Sequence, residues 1–254
     1  MPTNLQRPSN QVVSPLTVQE WSKRGRRMAI SLIAFATLTT PSIRKANGQE
    51  IVTPTSEWKA LFNGSSLEGW TTVSGKPVTK GWEVVDGELH LSVAGDRGGS
   101  IVTDREYTNF ELHFSWRIAP GGNNGIKYRV REYDGRTLGL EYQIIDDDGH
   151  KSKLKPLHRT GSIYDLYDAD PSRFLRPAGE YNDSRIVVRD GQIEHWLNGQ
   201  QVAFAQVGTD DWMQRVAKSK FAEREGFGQY RTGKIMLTDH NSEVWFRYVV
   251  LREL

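Results

Sequence analysis

Phe110-Glu111-Leu112-His113-Phe114-Ser115-Trp116-Arg117-Ile118 alternates without a break between large apolar and polar side chains. Successive residues of a strand point to opposite faces. The run therefore offers Phe110, Leu112, Phe114, Trp116 and Ile118 to a core, and Glu111, His113, Ser115 and Arg117 to the other side. Outward from it, from about residue 55 onward, short β-like runs are punctuated by Gly, Asn, Asp and Pro roughly every ten residues, the rhythm of a sandwich or barrel. Trp82 to Leu91 contains Asp86-Gly87, and Arg185 to Leu197 contains Asp190-Gly191. Each is a two-residue hairpin turn, and Asn198-Gly199 turns the chain again. Thr209 to Phe221 has acids at its start and apolar residues at helical spacing, which predicts one short helix. Val244 to Leu251 is largely apolar on both faces, which predicts a strand covered on both.

Composition narrows the class. The chain has 254 residues and a formal net charge of +2, so no basic surface points to nucleic acid. There is no cysteine, which excludes disulfides, thiolate nucleophiles and Cys-ligated zinc. Eight Trp, nine Tyr and nine Phe accompany 24 Gly. Such rings either fill a core or stack on the C–H faces of sugars. Residues 1–48 read as a signal peptide and leader. Lys23, Arg24, Arg26 and Arg27 precede a short apolar run, Ala29 to Leu38, followed by Thr40, Pro41 and Ser42. That pattern predicts export to the periplasm or exterior. The run is shorter than the roughly twenty residues of a spanning helix, so no lasting membrane anchor is expected. About 200 residues then remain, 55–254, which suits one all-β sandwich.

Gly139-Leu140-Glu141-Tyr142-Gln143-Ile144-Ile145-Asp146-Asp147 carries the chemistry. Alternation puts Glu141 and Gln143 on one face, roughly 7 Å apart along a strand, with Leu140, Tyr142 and Ile144 beneath. A carboxylate and an amide at that spacing can hold one sugar ring. The plain alternative is an ordinary solvated strand face.

A resemblance enters with these motifs. Leu61-Phe-Asn-Gly64, Leu67-Glu-Gly-Trp70, Trp82 to Leu89, Phe110-Glu-Leu112 and Trp116-Arg117 resemble the opening of the 3-keto-disaccharide hydrolase domain family. Gly121 to Ile126, Gly139 to Asp146, Gly161-Ser-Ile-Tyr164, Pro177 to Asn182, Glu194 to Gly199, Lys220-Phe221 and Asp239-His240 with Val244 to Arg247 follow in the family's order. The likeness spans about Glu57 to Leu254. It implies a concanavalin-like jelly-roll sandwich of two antiparallel sheets, and action on glycosides already oxidised at carbon 3. A C3 ketone acidifies the C2 proton, so a base can form an enolate that expels the C1 oxygen, with water adding back. Such a site needs a base at C2, donors to the developing oxyanion, and an acid or solvent for the leaving group.

Glu141 is the candidate base or acid, with Gln143 orienting a hydroxyl or donating to the enolate oxygen, and His240 as a proton shuttle. Asn124, Arg129, Asp146, Lys220 and Asp239 are candidate substrate-binding residues. Each also has a plain reading: Asn124 in a Gly-rich turn, Asp147 and Asp148 in an acidic turn, Lys220 as a solvated lysine on the short helix, His240 as a packed histidine. Arg129 shares its strand with Lys127, and either can face the cleft. Glu194, His195 and Asn182 read as structural, and Trp116 as core. Family members usually carry Gln before the Asp-His pair and Gly after it, where this chain has Thr238 and Asn241. No motif calls for a cofactor or metal, because Asp146 to Asp148 lack a calcium-loop spacing, although a divalent cation at the enolate stays open. The partner expected is an oxidised oligosaccharide or glycoside. Two other functions stay open beside the 3-keto-glycoside enzyme: a non-catalytic carbohydrate-binding module, and a direct glycosidase with two carboxylates about 5 Å or 6.5 to 9.5 Å apart.

Overall fold

The computed structural model describes residues 43–46, 49–52 and 57–254. The predicted leader, 1–48, lies almost wholly outside the described residues. Strands β1 (Ile43–Ala46) and β2 (Gln49–Val52) form an antiparallel hairpin of their own. The remaining chain runs β3 (Lys59–Ala60), β4 (Trp70–Thr72), β5 (Trp82–Val85), β6 (Glu88–Leu91), β7 (Ile101–Thr103), β8 (Phe110–Ile118), β9 (Asn123–Tyr133) and β10 (Arg136–Ile145). It continues through β11 (Asn182–Arg189), β12 (Gln192–Leu197), β13 (Gln200–Gln206), helix α1 (Asp210–Lys218), β14 (Lys234–Leu237) and β15 (Val244–Glu253).

Two antiparallel sheets result. One has five strands in the order β10-β9-β14-β7-β4. The other runs β13-β12-β11-β8-β15-β6-β5, with β3 paired to β15. The all-β sandwich with one short helix is the fold expected from the alternation. Phe110, Leu112, Phe114, Trp116 and Ile118 are all buried between the sheets, as are Ile126 and Tyr128 of β9 and Leu140, Tyr142 and Ile144 of β10. Burying rings and branched chains from both inner faces removes apolar surface from water, the main stabilising contribution in such a layer.

Polar ties cross this core. The Tyr142 hydroxyl of β10 bonds Ser184 Oγ of β11 at 2.9 Å, and Trp116 Nε1 donates to the same oxygen at 2.8 Å. Tyr128 OH of β9 lies 3.0 Å from His195 Nε2, and His195 Nδ1 lies 3.0 Å from the Gly161 carbonyl oxygen. Burial pulls His195 down to about 4, so it is neutral at pH 7. The carbonyl can only accept, so the proton sits on Nδ1 and Nε2 receives the tyrosine hydroxyl. His195 is therefore structural, as its hairpin position suggested.

The Asp86-Gly87, Asp190-Gly191 and Asn198-Gly199 turns all have both residues at positive φ, the geometry that matches strand twist. A fourth, Asp134-Gly135 between β9 and β10, has the same geometry and escaped the sequence reading. Helix α1 starts at Thr209, whose side chain accepts from Trp212 N at 3.3 Å, and buries Trp212. It ends two residues before Lys220, so the expectation of a lysine on the helix is corrected. The helix stops at Ser219, whose backbone is extended. The expectation that β15 is covered on both faces also needs correction. A bulge between Arg247 and Val250 breaks the alternation, and Tyr248 is 53% exposed beside an exposed Arg247.

Candidate functional site

Register assembles the site. In the β9–β10 pair Glu141 is opposite Lys127 and Gln143 opposite Gly125, all on the face turned away from the second sheet. The free edge of β10 is extended by a stretch of loop: Tyr164 N donates to the Glu141 carbonyl at 3.0 Å, Gln143 N to the Ser162 carbonyl at 3.3 Å, and Tyr142 pairs with Ile163. With Ile163 buried beside Tyr142 in the core, Tyr164 falls on the same face as Glu141. Lys127, Glu141 and Tyr164 thus make one row across three chain segments, and Gly125, Gln143 and Ser162 make the next.

Glu141 and Gln143 are only 5% and 3% exposed, enclosed by their neighbours rather than spread on an open face. Lys127 Nζ stands 3.8 Å from one Glu141 carboxyl oxygen and His240 Nε2 stands 3.8 Å from the other. The His240 side chain is 41% exposed and so links the carboxylate to solvent. Burial alone would push the Glu141 carboxyl up, but His240, Lys127 and Lys220 together outweigh it and hold it below the ordinary carboxylate range. Lys220 Nζ lies 4.1 Å from the Tyr164 ring centre. Desolvation lowers the Lys220 ammonium and Glu141 opposes that shift. Gln143 Nε2 donates to the His158 carbonyl at 3.3 Å, which leaves its second N–H and its oxygen.

A glycine is required beneath the carboxyl. A Cβ at Gly125 would overlap a Glu141 carboxyl oxygen and lie 3.0 Å from Glu141 Cγ, so the acid lies across a gap that only glycine leaves open. Thr238 holds the strand there, donating from both its amide and its hydroxyl to the Gly125 carbonyl at 3.1 Å.

Of the candidates from sequence, Glu141, Gln143, His240 and Lys220 converge. Asp239 stands beside them with its carboxyl turned elsewhere: it accepts from Arg97 at 2.9 Å, Gly99 N at 3.1 Å and Asn241 N at 2.9 Å, clasping the turn that carries His240. Asn241 sits at φ +61°, a conformation glycine reaches more easily, in line with the family's usual residue there. Asn124 does not join the cluster. It is fully buried, donating to the Thr238 carbonyl at 2.6 Å and accepting from Gly125 N at 2.8 Å. Asp146 caps its own turn, accepting from Gly121 N at 2.8 Å and Gly149 N at 2.9 Å. Arg129 occupies a left-handed position, φ +52°, at a bulge opposite Gly139, and no ion pair or hydrogen bond joins it to Glu141. Of Lys127 and Arg129, either of which the sequence allowed to face the cleft, Lys127 is the one beside Glu141, and Tyr164 was not singled out. Lys127 was readable from the β9–β10 pairing once the turn between them is recognised, whereas Tyr164 depends on loop pairing with no periodic signal. A cleft of about 460 Å³ at the far end of β9 and β10, lined by Glu132, Asp134, Glu225 and Tyr230, contains none of these residues.

The family model for the 3-keto-alpha-glucoside-1,2-lyase-like domain matches residues 57–252. The chain belongs to this family. A relative named 3-keto-disaccharide hydrolase, from Bacteroides thetaiotaomicron, is 29% identical over 225 residues, covering 76% of this chain and 77% of the relative. Two crystal structures of provisional glycosyl hydrolases from Parabacteroides distasonis also align. One has a TM-score of 0.71 at 34% identity over 78% of this chain and 94% of the other. The second has a TM-score of 0.61 at 27% identity over 78% of this chain and all of the other. A carbohydrate-active, glycoside-hydrolase-like protein is what family membership establishes, and the cluster around Glu141 lies within the matched residues.

Proposed function

We propose that the chain cleaves 3-keto-glycosides by elimination, with Glu141 removing the C2 proton. The observation that carries this reading is a sunken carboxylate, held below the ordinary carboxylate range by His240, Lys127 and Lys220 and sharing a strand face with an amide. Ionised Glu141 accepts the proton, and half-exposed His240 passes it to solvent. Lys127 and Lys220, with the free N–H of Gln143, stabilise the charge that moves onto the C3 oxygen. Two ammonium groups at that spot repel a divalent cation, so turnover is expected to withstand a chelator.

A direct two-carboxylate glycosidase is disfavoured by where the neighbouring acids are held. Asp239 is bound to Arg97, Asp147 to Arg173, Asp165 to His158, and Asp146 to backbone amides. The Bacteroides relative's name accords with the keto-sugar substrate. The basic cluster and apolar run near the N-terminus support export, which N-terminal sequencing of protein recovered outside the cytoplasm would test. The deciding experiment is incubation of purified protein with 3-keto-disaccharides while sugar release is followed. Release that disappears in Glu141→Gln supports the reading. No release from a panel of such substrates removes it, and glycan binding unchanged in Glu141→Gln would then favour a binding module.

A further inference from the structure

We propose that the Tyr164 hydroxyl is the acid that protonates the departing glycosidic oxygen. This rests on C2 deprotonation by Glu141 and extends it to the other end of the bond change. A sugar alkoxide is a poor leaving group, so a proton has to reach the oxygen as the C1–O bond breaks. Glu141 cannot supply it, since its carboxylate is occupied in taking a proton from C2. Lys127 faces the carboxylate from one side of the row, and Tyr164 is the neighbour on the other side, one strand spacing away.

The ring is firmly placed. His158 stacks on it with centroids 4.7 Å apart and planes 20° apart, and His158 Nε2 is held 2.8 Å from Asp165 Oδ1. The second Asp165 oxygen accepts Lys220 N at 2.8 Å, which brings the Lys220 ammonium over the ring at 4.1 Å. Burial, Glu141 and Asp165 all push the Tyr164 phenol up, so it carries its proton at neutral pH. Among the described residues no side-chain hydrogen bond engages that hydroxyl, which leaves it for a ligand. The cation above the ring stabilises the phenolate that forms.

The step balances. Glu141 takes the C2 proton, and the C2–H electron pair forms the C2=C3 enolate. Collapse of the enolate restores the C3 carbonyl and forms C1=C2, while the C1–O bond breaks and its electron pair takes the Tyr164 proton. Solvent reprotonates the phenolate, and water later adds across C1=C2.

Tyr164→Phe keeps the ring, its stacking and its contact with Lys220, and removes only the hydroxyl. Its rate is compared with the parent on two substrates that share the 3-keto-glucosyl unit: a disaccharide, and a p-nitrophenyl glycoside whose leaving group needs no proton. The expectation is a kcat loss of about 10²- to 10⁴-fold on the disaccharide with the p-nitrophenyl rate nearly kept. Equal losses on both substrates, or no loss on either, overturn the assignment. Thermal melting of the variant checks that the fold is intact. A parent enzyme that cleaves neither substrate sinks the elimination reading itself, an outcome distinct from failure of the tyrosine alone.

Discussion

Gly125 lies directly beneath the Glu141 carboxyl, and a methyl group in place of its α-hydrogen would collide with the carboxyl oxygen. The acid's position is therefore set by what the neighbouring strand lacks. Gly125→Ala is expected to displace the carboxyl while leaving both sheets paired. Overpacking of this kind costs about 1 to 3 kcal/mol of stability. The kinetic effect should be far larger, with kcat on a 3-keto-disaccharide reduced at least about 100-fold, because proton transfer depends on sub-ångström placement. A Gly125→Ala variant with unaltered kcat would show that Glu141 need not lie where it does.

Lys127 controls the acid side of the pH profile. Burial raises the Glu141 carboxyl, and His240, Lys127 and Lys220 outweigh it, so the folded group titrates below its unfolded value. The charged form is then present above the ordinary carboxylate range, and both activity and the stability it contributes are lost as pH falls through the lower folded value. In Lys127→Met one of the three opposing side chains loses its charge and burial is less resisted. The acidic limb of kcat/KM should move to higher pH. A limb that stays in place would mean another group sets it.

Much of this architecture was legible in the residues themselves. Phe110 to Ile118 gave its inner face by alternation alone, and Asp86-Gly87, Asp190-Gly191 and Asn198-Gly199 marked their turns because few residue pairs reach positive φ twice. Glu141 and Gln143 were readable for the same reason: period-2 alternation says which side chains share a face. What joins them from the loop side was not readable. Tyr164 joins the row through loop hydrogen bonds that leave no repeating pattern. Asn124 looked like a sugar contact in a glycine-rich turn, yet the third dimension places Thr238 against it and closes its amide. Asp146 and Arg129 were misleading likewise, since a strand-end acid caps its own turn and a bulge alters the strand's alternation.

Asp239 acts through the turn that carries His240. Its carboxyl gathers Arg97, Gly99 N and Asn241 N, so three contacts from two chain segments hold one loop against another. Removing the carboxylate leaves two backbone amides without their acceptor and frees His240 to swing away from Glu141. Asp239→Ala should melt lower and lose about tenfold or more in kcat, with KM changed much less. Asp239→Asn keeps one acceptor oxygen and should recover part of both. An Asp239→Ala variant that melts lower at undiminished kcat would confine the clasp to a structural role.

His195 predicts a fall in stability well above the pH at which the carboxylates protonate. Burial holds its folded value near 4, against 6.5 for the free side chain. Between those values the unfolded chain binds a proton that the folded one refuses, so stability is fully present above about pH 6.5 and declines as pH falls toward 4. The shift corresponds to about 3 kcal/mol at most, enough to lower the melting temperature of a domain this size by several degrees. Melting curves at pH 7.5, 6.0 and 5.0 measure the decline. His195→Gln does not titrate, and should show a lower melting temperature at pH 7.5 with a flatter dependence down to pH 5. An equally steep decline in the variant would assign the effect to other groups.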